Sequence, residues 1–563
     1  MRPRCLRKSK KRTDMNCQFK FTYVADGVEE SVSDAAQGGD VELYVTDDGE
    51  RRTVRVKALR DIALKGYFET DHDFFTSPVP ETPDPKGDLY FINGYQSWTE
   101  TREFYGDARE RNVTALPQGL VRSFSLDRYG DATFYEYNKR VLHGYDVFYV
   151  KGTTGAFVCS LNSKNAYLII EVIRRSGEVS LISDIRGKSL LAGEEYVICD
   201  YFYKGSYEEG IAVFGKYFPA RDVKKVFGYT SWYNYYQDIN EETMLRDLEA
   251  LDSRFDLFQI DDGYETFVGD WLDVDKTKFP RGLAPAVEKI KEHGFTAGIW
   301  LAPFVAEEKS RLYNEHRDWF RLGPDGEPVK CGSNWSGFFA LDLENEEVKD
   351  YIRRCLGHYV DMGFDFFKLD FLYAASLPDY EGKTRSESAE YAYSFLRECL
   401  GDKIILGCGA TVFNAAGKFD YLRVGPDVSL IFDDKWFMKF MHRERISTKV
   451  TLQNTVFRSF MDGYLFGCDP DVFLLRDDNI SLSKDQRRAL ITLNALFGSV
   501  MMTSDNLASY DTKKKKLLAG ALDLFRRAKV TDYSRYDKTI TVRYVLDGKT
   551  EEIRYDTEGG VLK

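Results

Sequence analysis

From about residue 17 to 220 the apolar positions come in short runs, many with a period of two, divided by turn-type residues. Val54-Arg55-Val56-Lys57, Ala156-Phe157-Val158-Cys159-Ser160-Leu161 and Tyr167-Leu168-Ile169-Ile170-Glu171-Val172 are examples, set off by Asp47-Asp48-Gly49 and Arg186-Gly187-Lys188. Period-two side chains alternate between the two faces of a strand, so this region reads as a β-sandwich without a long helix. Residues 91–98 (FINGYQSW) form a polar–aromatic loop within it. Near residue 225 the pattern changes. Eight short apolar runs (227–232, 257–263, 297–303, 364–372, 404–409, 421–428, 463–471 and 499–505) alternate with amphipathic stretches such as 242–251, 283–293, 345–361, 386–400 and 484–496. Eight strand–helix alternations over this length favour one (β/α)₈ TIM barrel over a doubly wound sheet. A helix to about residue 527 follows, then an Asp547-Gly548 turn between two alternating runs, a strong hairpin signal. The fold class is therefore multidomain α/β plus all-β. The expected layout is a basic tail (1–16), an N-terminal β-sandwich (17–222), a central barrel (223–508) and a small C-terminal antiparallel β domain (509–563).

Composition narrows the function. The net charge of −12 argues against a polyanionic partner such as nucleic acid, although seven cations fall within residues 2–12. No apolar run follows those cations, so they read as a disordered tail, or as an upstream extension with Met15 as the start, rather than a secretory signal. No segment reaches the length of a membrane span. The nine cysteines are widely spaced, without a CxxC pair, which suggests reduced thiols in a cytoplasm. The six histidines are scattered and predict no metal centre. The Lys513–516 run reads as a solvated face. Aromatic residues make up 15% of the chain, which suits large β-cores and also the flat faces of sugars.

Barrel enzymes carry their chemistry at the C-terminal ends of the strands. Here those ends hold Trp232, Asp261-Asp262-Gly263, Trp300, Lys368-Leu369-Asp370, Gly407-Cys408-Gly409, Arg423-Val424-Gly425-Pro426-Asp427, Asp469-Pro470-Asp471 and Ser504-Asp505. An acidic strand end can simply cap the next helix, as Ser504-Asp505 would. Asp370 differs because it closes a buried-strand sequence, two residues after Lys368 and on the same face. A neighbouring ammonium lowers a carboxylate's pKa and keeps it ionised, as a covalent nucleophile must be; a structural salt bridge is the alternative. Glycoside cleavage needs a second carboxyl group, and Asp427 is the candidate, with a turn-stabilising role as its alternative. Spacing gives no distance between the two, so it does not choose between retention and inversion. Asp261 and Asp262 as acceptors, Lys368 and Arg423 as donors, and Trp232, Trp271 and Trp300 as flat walls describe a monosaccharide pocket.

These residues resemble glycoside hydrolase family 36, the retaining α-galactosidases, and more distantly the lysosomal-type enzymes of the same clan. The matching stretches are Gly228-Tyr229-Thr230-Ser231-Trp232, Gln259-Ile260-Asp261-Asp262-Gly263-Tyr264, Gly269-Asp270-Trp271 with Lys278-Phe279-Pro280-Arg281-Gly282-Leu283, and Gly298-Ile299-Trp300-Leu301-Ala302-Pro303-Phe304. Lys368-Leu369-Asp370, Arg423-Val424-Gly425-Pro426-Asp427, Asp469-Pro470-Asp471 and the loop Asn93-Gly94-Tyr95-Gln96-Ser97-Trp98 complete the ordered set. The resemblance implies Asp370 as nucleophile and Asp427 as general acid/base of a double displacement. It implies that Asp261 and Asp262 bind the axial 4-hydroxyl and 6-hydroxyl of galactose, and that Trp232, Trp300, Lys368, Arg423 and Asp471 line the pocket. It implies no metal and no organic cofactor.

The strand-five loop departs from the family pattern, reading Leu406-Gly407-Cys408-Gly409-Ala410-Thr411. Relatives place this loop near the sugar's 2-position. Cys408 is a candidate there, and small residues predict room for a 2-acetamido or 2-amino group. The expected function is an exo-acting α-galactosidase on small galactosides. The alternatives are an α-N-acetylgalactosaminidase or α-galactosaminidase, a raffinose-type galactosyl transferase, and a non-catalytic sugar-binding module. The short C-terminal β domain leaves homo-oligomer formation open.

Overall fold

The computed structural model describes residues 18–33, 39–70, 87–174, 176–379, 381–433 and 442–563. The expected basic tail lies outside the described residues. Two antiparallel sheets make up the N-terminal region. One has the order Val28–Ser33, Gln18–Ala25, Ile62–Thr70, Val179–Asp184, Tyr167–Ile173, Val141–Tyr145, with Ser189–Leu190 beside Ile62–Thr70. The other runs Val41–Asp47, Arg51–Ala58, Glu195–Lys204, Ala156–Ser160, Val147–Lys151, Leu89–Ile92, Arg102–Tyr105. Phe21, Tyr23 and Leu64 from the first sheet meet Val54, Val56 and Ile198 from the second in one core. The period-two pattern gives the second sheet another apolar face. Phe91, Tyr149, Phe157 and Phe202 on that face join the core of the following domain.

A helix, Tyr207–Tyr217, lies in this second contact and corrects the expectation of an all-strand region. Its signals are local: a Ser206 cap, Glu208 and Glu209 in the first turn, and Lys216 in the last. It packs so closely that a Cβ at Gly210 would come within 2.1 Å of the Phe157 ring.

The central region is a parallel sheet of nine strand segments: β1 Val226–Thr230, β2 Leu257–Ile260, β3 Thr296–Leu301, β4 Phe366–Leu369, β5 Ile404–Gly407, β6 Tyr421–Arg423, β7 Gly467–Asp469, β8 Val472–Phe473 and β9 Val500–Thr503. Each of the eight expected runs overlaps one of these, and the remaining segment, Val472–Phe473, begins just past the seventh run. The order is β7-β6-β5-β4-β3-β2-β1-β9-β8, and only Pro470 and Asp471 separate β7 from β8, so the sheet comes round on itself like a TIM barrel. Pro470 has no N–H to donate and breaks the ladder at that point. Helices Glu241–Glu249, Ala284–Glu292, Glu346–Met362, Arg385–Leu400 and Lys484–Phe497 match the amphipathic stretches. A further helix, Thr448–Phe457, is buried on every side, so it carried no amphipathic signal. A three-stranded insert (Val305–Glu307, Phe338–Ala340, Lys330–Gly332) follows β3. At the C-terminus, helix Thr512–Arg527 leads into four antiparallel strands. The expected hairpin is there, with Asp547 and Gly548 at φ 52° and 75°. No helix among the described residues is long and apolar enough to cross a membrane.

Beside their shared apolar core, a buried cation ties the sandwich to the barrel-like region. Arg458, at the end of helix Thr448–Phe457, is fully buried and has no carboxylate partner among the described residues. Its guanidinium donates to Asn93 Oδ1 (2.9 Å) and to the carbonyls of Ser97 (2.6 Å), Gly94 (3.2 Å), Gln96 (3.2 Å) and Val424 (2.8 Å). One turn earlier Asn454 receives the Thr101 N–H (2.7 Å) and donates to the Thr99 carbonyl (2.9 Å). Burial pulls the Arg458 guanidinium down to about 9, which still leaves it charged at neutral pH. Arg458→Met would strand several buried carbonyls at about 1–3 kcal/mol each. The expected outcome is a loss of about 3–5 kcal/mol in urea unfolding, and a variant as stable as wild type would refute this role.

Candidate active site

Asp370 lies directly after β4, where its N–H donates to the Leu301 carbonyl (2.8 Å) across the sheet edge. Phe371 then takes a left-handed backbone, φ 53°, and its N–H turns back onto Asp370 Oδ1 (2.8 Å). The indole Nε1 of Trp300, from β3, donates to Asp370 Oδ2 (3.0 Å). Lys368 shares the strand but does not pair directly with Asp370. Its Nζ reaches Asp261 Oδ2 at 2.8 Å. This corrects the expected lowering of Asp370. Burial is the largest influence on its carboxyl and pushes it up, while the Lys368 charge and the Trp300 hydrogen bond pull back only in part. For Lys368, burial pulls down, and the charges of Asp261 and Asp370 outweigh it and raise it.

Asp261 is heavily engaged by the protein. Its Oδ2 accepts from Thr230 Oγ1 (3.0 Å), Gln259 Nε2 (2.6 Å) and Lys368, whereas Oδ1 accepts only the Asp262 N–H (3.0 Å). The remaining lone pair is therefore on Oδ1. Asp262 accepts from the Trp335 indole (2.9 Å) and from Gln237 (3.2 Å). Glu265 is buried beside it, and burial together with the Asp262 charge pushes the Glu265 carboxyl well up.

Across the mouth, Arg423 on β6 is buried and ion-paired to three carboxylates: Asp427 (2.8 Å), Asp471 (2.8 Å) and Asp469 (3.3 Å). The Asp427 side chain is partly exposed, whereas Asp370 is buried. The carboxyl with solvent access is the one able to exchange protons with water. Asp471 takes a left-handed backbone, φ 72°, between β7 and β8, and it accepts from the Val428 N–H (2.7 Å) and the Tyr233 hydroxyl. It is fully buried. Burial raises its carboxyl, with Arg423 opposing.

The tryptophans differ. Trp300 touches Asp370, and Trp271 is buried edge-on against Trp300, with ring centres 5.8 Å apart. Trp232 is half-buried at the rim beside Tyr236 (5.1 Å). Cys408 is buried, and its Sγ accepts from the indole of Trp98 (3.2 Å). That indole comes from the sandwich loop held by Arg458. A Cβ on Gly409 would lie 3.0 Å from the same ring. The small residues after β5 thus make room for Trp98 rather than leaving the open space expected there.

Sequence reasoning missed Trp335, Glu265 and the Trp98–Cys408 contact. A lone Trp in the Gly/Ser loop 332–337, and a third acid in Asp261-Asp262-Gly263-Tyr264-Glu265, are the signals that could have found the first two. The Trp98 contact joins positions more than three hundred residues apart and leaves no local trace. Four non-glycine residues around the mouth have left-handed backbones (Tyr236, Trp335, Phe371 and Asp471), each a local cost of about 1–3 kcal/mol that surrounding contacts must offset.

Residues 220–398 match the melibiase family model. Curated relatives include the α-galactosidase Mel36A of Lactobacillus acidophilus, 28% identical over 34% of this chain and 27% of that protein. They also include the A type blood α-D-galactosamine galactosaminidase of Flavonifractor plautii, 34% identical over 21% of this chain and 12% of that protein. The alignments thus span less than a third of either relative. The solved structure of the Thermus thermophilus α-galactosidase TtGalA with p-nitrophenyl α-D-galactopyranoside superposes with a TM-score of 0.69 at 26% identity, covering 90% of this chain and 98% of that one. The family 36 enzyme AgaA of Geobacillus stearothermophilus shares the fold, with a TM-score of 0.58 at 13% identity. The chain carries a melibiase match over residues 220–398, and in sequence and fold it resembles the α-galactosidases of glycoside hydrolase family 36.

Proposed function

We propose that the chain is a retaining, exo-acting α-galactosidase that releases terminal α-linked galactose from small galactosides. The observation that carries this reading is the pair Asp370 and Asp427 at the C-terminal edge of the parallel sheet, each held by its own donors and differing in solvent access. Asp370 Oδ1 and Oδ2 are fixed by the Phe371 N–H and the Trp300 indole, which aims the carboxylate as a nucleophile needs. It attacks the anomeric carbon while Asp427 gives its proton to the leaving oxygen, and Asp427 then takes a proton from the water that frees the sugar. Arg423 holds Asp427 in place. Asp261 Oδ1 and Asp262 are the acceptors for sugar hydroxyls, and Trp232, Trp271 and Trp300 supply the flat walls. No cofactor is needed for this chemistry.

Domain roles follow from the layout proposed at the outset: a barrel over 223–508 that carries the chemistry, a sandwich over 17–222 that supplies the Trp98 loop, and a C-terminal β domain from 509. The seven described cysteines are all free, which supports a cytoplasmic setting. In this reading the loop after β5 lies near the sugar's 2-position, as the family resemblance suggests. Because Trp98 fills the space beside Gly409, galactose is favoured over a 2-acetamido sugar there.

Release of nitrophenol from 4-nitrophenyl α-galactoside tests the reading. Asp370→Asn is expected to abolish turnover, by a thousandfold or more on the scale of a lost nucleophile (~10⁴–10⁶). Asp427→Asn is expected to cost about 10²–10⁴-fold, with the larger loss on galactosides whose leaving group needs protonation. Wild type inactive on this substrate, or Asp370→Asn at wild-type rate, would sink the proposal. Burial of Asp370 also has a pH consequence. Its folded-state pKa lies above the unfolded value, so the folded state binds the extra proton, and stability falls as pH rises from the ordinary carboxylate range of about 4 through the folded pKa. Thermal melting followed from pH 4 to pH 8 is expected to show a steeper fall in wild type than in Asp370→Asn, which keeps the raised carboxyls of Asp471 and Glu265; identical curves would contradict it. The acid limb of kcat/KM is expected above the ordinary carboxylate range for the same reason.

A further inference from the structure

The insert after β3 brings a hairpin tip, residues 333–337, over the mouth of the sheet. Its Trp335 donates to Asp262 Oδ2 (2.9 Å), and its ring lies 5.1 Å from that of Phe371, the residue after Asp370. Trp335 thus touches one proposed sugar-binding carboxylate and the neighbour of the proposed nucleophile. It does so from a left-handed backbone, φ 53°, which a tryptophan does not hold unaided.

The tip is tied on two sides. Within the insert, the Glu307 carboxylate accepts from the Ser336 N–H (3.2 Å) and hydroxyl (2.7 Å). On the other side the ties come from the sandwich. The Tyr129 hydroxyl accepts the Ser333 N–H (2.9 Å) and donates to Asn334 Oδ1 (2.5 Å), and the Ser333 hydroxyl donates to the Phe124 carbonyl (2.7 Å). Gly332 leaves the space that this contact occupies, since a Cβ there would sit 2.7 Å from the Tyr129 hydroxyl. Tyr129 is itself anchored. Its carbonyl accepts from Gln96 Nε2 (2.9 Å), and Gln96 pairs with Thr411 in the loop after β5. The hydroxyl therefore uses its donor and an acceptor on the two residues that precede Trp335, from a base fixed to both domains.

We propose that Tyr129 is a positioning residue for substrate binding, holding the insert tip so that Trp335 orients Asp262 toward the sugar. The inference rests on the α-galactosidase reading and adds a sandwich residue to its binding site. Tyr129 touches no reacting atom, so its loss acts on binding rather than on the chemical step.

Steady-state kinetics on 4-nitrophenyl α-galactoside, with galactose inhibition measured in parallel, test it on the full chain. Tyr129→Phe keeps the ring and removes only the hydroxyl. It is expected to raise KM and the galactose inhibition constant about three- to tenfold, the scale of one neutral hydrogen bond, with kcat within about twofold. Trp335→Phe is expected to move the same two constants. The double variant Y129F/W335F is expected to be no worse than Trp335→Phe alone, because the hydroxyl acts through the indole. Asn334→Ala removes the hydroxyl's acceptor from the other side and gives the same split if Tyr129→Phe does not fold. Unchanged KM in folded Tyr129→Phe and Asn334→Ala, or effects that multiply in the double variant, would overturn the inference and leave the α-galactosidase reading standing. A wild type without turnover or galactose inhibition would overturn both.

Discussion

A guanidinium buried with no carboxylate partner among the described residues has to find its compensation in dipoles, and Arg458 finds most of it in a loop of the sandwich. Five acceptors converge on it, four of them from the loop Asn93–Ser97 and one from Val424. Burying a charge costs several kcal/mol unless such partners are present, so the loop and the helix end are obliged to stay together. Both sides of the site depend on that contact. The loop presents Trp98 to Cys408 and fixes Gln96 against Thr411, while Val424 sits between Arg423 and Asp427. The sandwich is thus part of the wall around the C-terminal edge of the sheet, not an appendage beside it.

Electrostatics divide the site into two halves with different character. Around Asp370 the dominant influence is burial, and the fixed donors from Trp300 and Phe371 offset it only in part. Around Asp427 the dominant feature is Arg423, which spreads one positive charge over three carboxylates. Lys368 belongs to neither half, since its ammonium pairs with Asp261. Two acids of one chemical type therefore occupy environments suited to different tasks, which is the arrangement double displacement at a glycoside requires. Asp262 and Glu265 form a second pair, in which burial pushes both carboxyls up.

Backbone strain gathers at the same rim. The left-handed residues Phe371 and Asp471 turn the chain directly after β4 and β7, and Trp335 does so at the insert tip. Each is held by contacts from other elements: the Trp300 indole for Asp370 and its neighbour, Arg423 and Tyr233 for Asp471, and Tyr129 for the tip. Strain of this kind survives only where packing over-determines it.

Local pattern alone determined much of this protein. Period-two runs marked the sandwich strands, eight apolar runs marked the parallel sheet, and Asp547-Gly548 marked the last hairpin, because each signal is written in neighbouring residues. The strand-end position of Asp370, Asp427, Asp261, Asp262 and Arg423 was equally local, since a residue closing a barrel strand can only sit at its C-terminal rim. The helix Thr448–Phe457 was not readable, because burial on every side removes the amphipathic period. Nor was the partner of Lys368: spacing on one strand put it beside Asp370, but the closer carboxylate came from β2, and the balance of burial against charge at Asp370 reversed the expected shift. Trp98 beside Cys408, Tyr129 beneath Trp335 and the acceptors of Arg458 join distant stretches of chain. Sequence determined which residues reach the rim. Only the docking of sandwich, insert and barrel-like sheet decided which of them meet, because those distances are set by packing between domains and not by spacing along the chain.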